Sequence, residues 1–370
     1  MYKRLKELVN TAQGFPCVSI IVPTKRSMPD KAYVQAHVLK QVKMMTEKLS
    51  NISHPQAGLV QKKLQDVVQY YDFTKIQDVL VFLAHANDAQ GFASFGSCDE
   101  REVLGSVFAL NEIYALLQEQ VSYWVLILGK EDARLCRATN NMWHEIITPA
   151  RDAQGNPVQG FPLQFLRPED KTVESVGRGY LDAAYRDHHE VVFFELVERE
   201  LHKLIEKDPL PVVLCASAKT GELMKRAANH RTHFVQHVVY DGISQRISDI
   251  VPLVWPQIEQ HHRKERDQLM EELENARNTN RCAAGLQRVW EVMLDGRVKR
   301  LFVERGARVI GRVDPAHEHH LQPFGKEEIG VTDNLIDILI AAAIRHNGQI
   351  VVMPHGTLKA FDGVAALLRY

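Results

Sequence analysis

The chain has 370 residues, 45% hydrophobic and 25% charged, with 45 Lys and Arg against 46 Asp and Glu. That composition excludes disordered, collagenous and fibrous classes, and the length exceeds what one hydrophobic core ordinarily serves, so three domains are expected. No run reaches the roughly 18 apolar residues of a membrane span, and the opening MYKRLKELVN lacks the apolar core of a secretion signal. A cytoplasmic protein with no membrane partner is expected. The charge is uneven, because residues 1–75 carry 12 Lys and Arg against 5 Asp and Glu, whereas residues 76–120 carry 1 against 7. A basic N-terminal segment fits contact with a polyanion, and equally a pair of solvated helices.

Tyr2 to Val9 alternates in a helical manner, and the apolar run from Cys17 to Val22, stopped by Pro23, predicts a buried strand. Two amphipathic helices follow, about Lys31 to Leu49 and Gln56 to Tyr71, around the polar turn Ser50-Asn51-Ile52-Ser53-His54-Pro55. Strands at Val79 to Ala84, Gly91 to Phe95 and Val103 to Ala109 complete a first domain over residues 1–120. YWVLILG from Tyr123 and ARLCRAT from Ala133 read as two strands about a turn at Lys130-Glu131-Asp132. A polar stretch from Thr148 to Tyr180 then leads into a long helix, Leu181 to Lys207, a strand PVVLCAS and a helix Gly221 to Asn229, a second unit over residues 121–260. Loops beyond about 12–15 residues without structure of their own are uncommon and usually functional or disordered, so the Thr148 to Tyr180 stretch is a candidate contact arm. The charged run Ile258 to Ala276 reads as a helix into a third unit, residues 261–370. That unit has helix Ala283 to Leu294, strand Lys299 to Glu304, helix Thr332 to Asn347, strand Gln349 to Pro354 and a last strand near Ala365 to Arg369. Alternating helix and strand in each unit predicts the α/β class.

The usual catalytic fingerprints are missing. SAKTG, from Ser217 to Gly221, lacks the upstream glycines of a phosphate-cradling loop, and Gly177-Arg178-Gly179 is followed by Asp182 where a dinucleotide fingerprint needs glycine. The five cysteines are scattered without a C-x-x-C pair and read as reduced core residues. Three histidine clusters invite a metal reading: Asp314 with His317, His319 and His320; His230, His233 and His237, the last two spaced to share a helix face; and His188 with His189. None has a strong ligand spacing, so neither a metal nor a cofactor is expected. Gly177-Arg178-Gly179-Tyr180, with Tyr185, Arg186, His188 and His189 following, combines a guanidinium, flexible glycines and rings, a mixture that suits RNA. A glycine-hinged helix start facing solvent has the same composition.

Three stretches in order resemble the archaeal and eukaryotic class I peptide release factor and Pelota superfamily, in particular its bacterial branch. VSIIVPTKRS (Val18 to Ser27), the helical hairpin and DVLVFLAH (Asp78 to His85) are similar to the decoding domain. The hairpin tip Ser50-Asn51-Ile52-Ser53 stands where release factors bear Asn-Ile-Lys-Ser, with Ser53 in place of the lysine. SYWVLILGKEDARLCRATNNMWHEI (Ser122 to Ile146) and the Gly177 loop are similar to the middle domain, whose Gly-Gly-Gln tip enters the peptidyl transferase centre; Gly-Gly-Gln occurs nowhere in this chain. GLQRVWEVMLDGRVKRLFVERG (Gly285 to Gly306) and DNLIDILIAAAIRHNGQIVVMP (Asp333 to Pro354) resemble the domain that docks a translational GTPase.

The resemblance implies a three-domain architecture and a ribosome hibernation factor rather than an enzyme. Such a factor occupies the vacant A site as a monomer, contacts 16S and 23S rRNA, and is delivered by elongation factor Tu. Decoding-centre contacts are then expected from Thr24, Lys25, Arg26, Lys31, Asn51, Ile52, Ser53 and His54. Contacts at the peptidyl transferase centre are expected from Gly177, Arg178, Gly179, Tyr180, Arg186, His188 and His189. Two enzymatic alternatives stand beside it: a rescue or release factor in which His188 or His189 serves as general base, and a nuclease or metal-dependent hydrolase built on the middle domain.

Overall fold

The computed structural model describes residues 2–12, 14–24, 31–148, 160–164, 181–228, 232–240, 247–324 and 334–370. They form a mixed α/β chain with several sheets, in two compact units: Val121–Glu265, and Met1–Gln120 together with Arg266–Tyr370.

The unit built from both ends of the chain opens with α1 (Tyr2–Thr11), β1 (Cys17–Pro23), the hairpin α2 (Lys31–Ser50) and α3 (Ala57–Gln69), and β2 (Val79–Ala84). After these come β3 (Ala89–Ser94), β4 (Arg101–Gly105) and α4 (Leu110–Gln118). The four strands make an antiparallel sheet in the order β3-β2-β1-β4. Side chains alternate across a strand, so β1 and β2 serve two cores. Val18, Ile20, Val22, Leu80 and Phe82 face the hairpin, while Ile21, Val79, Val81 and Leu83 face α1 and α4. Both strands read as unbroken apolar runs because both faces are covered.

The unit Val121–Glu265 holds β5 (Ser122–Leu128), β6 (Asp132–Thr139), β7 (Met142–Glu145), β8 (Leu163–Gln164), α5 (Leu181–Lys207), β9 (Val212–Ala216), α6 (Ala218–Ala227), β10 (Phe234–Val239) and the first part of α7 (Ile247–Asn278). Its sheet runs β10-β9-β5-β6-β7, parallel from β10 to β5 and antiparallel beyond, with β8 on β6. Phe193, Phe194, Val197 and Leu201 of α5 cover one face, and Ile247, Ile250, Val254 and Ile258 of α7 the other. Ser217 caps α6, its Oγ accepting the Thr220 N–H at 3.2 Å, so the SAKTG string is a helix start. Cys136 and Cys215 lie in this core, and burial pushes both thiols up to about 12. Native protein at pH 8 should therefore resist alkylation at both, since the thiolate is the nucleophile. Intact mass after iodoacetamide reads this, and rapid labelling of either cysteine before unfolding would contradict it.

The first unit is completed by β11 (Cys282–Ala284), α8 (Leu286–Leu294), β12 (Val298–Glu304), the hairpin β13 (Gly311–Val313) and β14 (Leu321–Pro323), α9 (Leu335–Arg345), β15 (Gln349–Met353) and β16 (Val364–Leu368). The sheet order is β11-β16-β12-β15, with β12 and β15 parallel. One face packs on Leu273 and Ala276 of α7; the other joins α9 and the N-terminal elements in a single core. Polar bonds fasten that core. Asn111, fully buried in α4, donates its backbone N–H to Asp337 Oδ1 at 2.7 Å and its side-chain amide to the carbonyls of Glu304 and Ala307 at 3.1 and 3.0 Å. The Gln118 amide donates to Ile350 O and accepts from Val352 N–H, both at 2.8 Å, pairing with the open edge of β15 as a strand would.

Several boundaries differ from those the sequence predicts. The strand expected to Ala109 ends at Gly105, and the next nine-residue element is α4, an unexpected helix. The helix expected from Ile258 begins at Ile247 and contains Pro252 and Pro256. β7, β10, β13 and β14 are strands that the sequence pattern does not assign. No helix among the described residues is long and apolar enough to cross a membrane.

Candidate nucleic-acid interface

The hairpin presents the candidate interface on the face turned away from its sheet. Val34, Val38, Val42, Met45 and Leu49 of α2 recur at helical spacing and are buried, as are Val60, Leu64 and Val68 of α3. The same period leaves Lys31, Lys40, Lys43 and Lys62 in solvent, and none meets a carboxylate among the described residues. The acidic stretch that follows is engaged elsewhere. His37 Nε2 lies 3.1 Å from Glu100, the Gln41 amide donates to the same carboxylate, and Lys48 Nζ lies 2.9 Å from Glu102. These contacts tie α2 to the β4 edge and leave the outward lysines uncompensated, the arrangement a polyanion requires.

The tip is a compact turn. Asn51 N–H closes the last turn of α2 on the Glu47 and Lys48 carbonyls at 3.2 and 3.3 Å, and Ser50 Oγ donates to Thr46 O at 2.9 Å. Asn51 and Ser53 point to solvent while Ile52 and His54 are half-buried. The His54 ring meets Phe15 edge-on, centroids 5.6 Å apart, and its Nδ1 accepts the Gln56 N–H at 3.3 Å. The turn thus offers two exposed polar side chains on a braced backbone.

The structure does not gather all the expected decoding-centre residues. Lys31 opens α2 and Asn51 follows its end, so the rise of a 20-residue helix separates them by about 30 Å. Thr24 follows β1 and is buried, its hydroxyl donating to Gln77 O and its N–H to Asp78 O at 2.7 Å. Lys25 and Arg26 lie outside the described residues, as do Gly177, Arg178, Gly179 and Tyr180. The backbone of Arg186, His188 and His189 belongs to α5, and their side chains lie outside the description. Lys40, Lys43 and Lys62 were not singled out from the sequence. Their signal was present in it, since each falls opposite the buried valines.

The histidine clusters resolve differently from their spacing. His237 sits in β10, so it shares no helix face with His233, and its Nε2 lies 3.2 Å from Ala216 O. Its ring fills the space over Gly221, where a Cβ would collide with it. Among the described residues no group of three His, Cys, Asp or Glu could hold a metal ion.

No curated protein matches the chain. Among solved structures, yeast (S. cerevisiae) Dom34, a translation termination-like factor, matches at 12% identity over 81% of each chain with a TM-score of 0.42. Archaeoglobus fulgidus Pelota matches at 14% over 79% of each chain, TM-score 0.35. The archaeal translation termination factor aRF1 matches at 15% over 100% of this chain and 97% of that one, TM-score 0.25. Residues 122–297 match the model of bacterial archaeo-eukaryotic release factor family 3.

Proposed function

We propose that the chain is a bacterial relative of the class I release factors and Pelota that works on the ribosome, and within that class a hibernation factor similar to Balon. One observation carries the reading: the stretch matching a release-factor family contains no Gly-Gly-Gln. Without that glutamine no group positions the water that would attack peptidyl-tRNA, so the factor holds the vacant A site and releases nothing. Protection is then steric, because an occupied A site excludes tRNA and shields exposed rRNA.

In this reading residues 1–120 contact 16S rRNA at the decoding centre through the hairpin, Lys25, Arg26 and Lys31. Residues 121–260 carry the Gly177 loop toward 23S rRNA at the peptidyl transferase centre, and residues 261–370 dock elongation factor Tu. The protein acts in the cytoplasm as a monomer and needs no cofactor. The uncompensated hairpin lysines supply the phosphate-directed part of the affinity.

The test is a cryo-EM reconstruction of ribosomes pulled down by the tagged chain from starved or cold-shocked cells, with a peptide-release assay on the same preparation. Density in the A site without release is the expected result. Release of peptide would replace hibernation by rescue, and a pulldown without ribosomes would remove both.

A further inference from the structure

The start of α2 holds an aromatic plate in solvent. Tyr33 and His37 stand one turn apart on the helix, their ring planes within 3° of parallel and their centroids 6.4 Å apart, the spacing of an offset stack. Tyr33 is 58% exposed and has no other partner among the described residues. His37 is the fixed member of the pair. Its Nε2 lies 3.1 Å from each Glu100 oxygen, and the Gln41 amide donates to the same carboxylate. Glu100 immediately precedes β4, so the stack is braced from the sheet as well as from its own helix.

The surrounding charge selects what the plate can take. Lys40 lies one turn beyond His37, at i+7 from Tyr33, so the three share a stripe about 10 Å long. Lys31 opens the same helix, and neither ammonium meets a carboxylate among the described residues. With histidines counted as neutral, α2 and α3 hold six lysines against four carboxylates once Glu100 and Glu102 are added to Glu47 and Asp66, a net charge of +2. A cation over the Tyr33 ring would have to sit against that field. A ligand with a flat π face and an anionic backbone meets both features.

We propose that Tyr33 is a stacking platform for an unpaired base of single-stranded RNA, with the flanking phosphates toward Lys31 and Lys40. Unpaired bases are held by stacking on aromatic rings, and the stack tolerates any base because each has a π face. The platform is separate from the Asn51 turn, which lies 18 residues or about 27 Å further along. The hairpin then holds RNA at both ends of α2. The inference rests on the ribosomal reading for the source of the strand, an exposed rRNA loop, and not for the stacking chemistry.

The parent chain, Tyr33→Leu and Tyr33→Phe are titrated with a labelled oligoadenylate strand and a labelled RNA duplex by anisotropy, and are co-sedimented with vacant ribosomes. Leucine keeps apolar bulk and removes the π face, whereas phenylalanine keeps the face and loses only the hydroxyl. Tyr33→Leu should weaken binding of the strand and of ribosomes by about 10-fold and Tyr33→Phe by less than about 2-fold. The slope against salt should not change, because a base stack releases no counterions. Duplex binding should be the same for all three, its bases being stacked already, and an unchanged thermal transition verifies that the variants fold. Loss on ribosomes assigns an rRNA base, and loss on the free strand alone supports the platform with another RNA as its ligand. If the parent pellets with ribosomes and Tyr33→Leu binds ribosomes and strand as the parent does, the platform is overturned and the ribosomal reading stands. Equal loss in the phenylalanine variant, or equal loss on the duplex, overturns the platform too. If the parent binds the strand with this tyrosine dependence but does not pellet with ribosomes, the platform stands and the ribosomal reading falls.

Discussion

Asn111→Ala should destabilise the unit formed by residues 1–120 and 266–370 by roughly 2 kcal/mol, because the carbonyl of Glu304 loses its side-chain donor and that of Ala307 keeps only the Asn334 amide. Those carbonyls, of Glu304 and Ala307, lie at the end of β12 and just beyond it, so hydrogen exchange should rise there before it rises in Val121–Glu265. Equal loss of protection in both units would contradict the account. The neighbouring carboxyl adds a pH dependence. Asp337 is fully buried, and burial, reinforced by the charge of Glu112, holds its carboxyl well above the ordinary carboxylate range. The folded state therefore keeps a proton that the unfolded chain releases above about pH 4. Stability from this group is present below the unfolded value and is lost as pH rises toward the folded one, by at most about 1.4 kcal/mol per pH unit. Asp337→Asn keeps an oxygen for the Asn111 N–H and removes the ionisation. Its stability relative to the parent should climb with pH in urea titrations between pH 5 and 8, and a difference independent of pH would sink the assignment.

Replacing Lys40, Lys43 and Lys62 together with glutamine should weaken ribosome binding on the order of 10²-fold at physiological salt, with no change in the urea midpoint. The three ammonium groups have no carboxylate to release, so folding loses nothing when they go. Each phosphate contact contributes about 0.7–0.9 to the slope of log K against log salt, so the slope should fall by about 2 to 3. Lys48→Glu is the informative contrast, since its partner is Glu102 and reversal places two carboxylates together. That variant should lose stability. Co-sedimentation across a salt series measures the first effect, and a triple variant that pellets with ribosomes like the parent would show that the hairpin is not the contact.

The apolar strands are the most legible part of this chain. β1, β2, β5 and β9 are continuous runs buried on both faces, and their limits in the structure lie within a residue or so of the sequence pattern. α4 is illegible for the same reason that makes it central: residues 110–116 are all buried, so no polar face marks a helical period, and no side chain caps its start. The first turns of α7 are hidden by Pro252 and Pro256, which ordinarily end a helix but are carried here with Ile250 and Val254 packed in the core. At the candidate interface the turn residues and basic character of the hairpin are legible. Which lysines remain free is not, because that depends on Glu100 and Glu102 arriving from a strand some fifty residues later.

That one unit draws on both ends of the chain has a consequence for its biosynthesis. When Gln118 leaves the exit tunnel, the strand whose edge it binds is still untranslated, and so is the helix that covers α1 and α4. The nascent chain must carry Leu5, Leu8, Ile113 and Leu116 without their final neighbours while the whole of Val121–Glu265 is made. The inserted unit has its own sheet and two cores and meets no such delay, so it matures first and the two-ended unit closes last, across the long loop the insert spans. Interrupted synthesis or proteolysis near residue 266 would therefore leave a folded middle and an apolar, unfinished N-terminal sheet, the species that chaperones would have to hold.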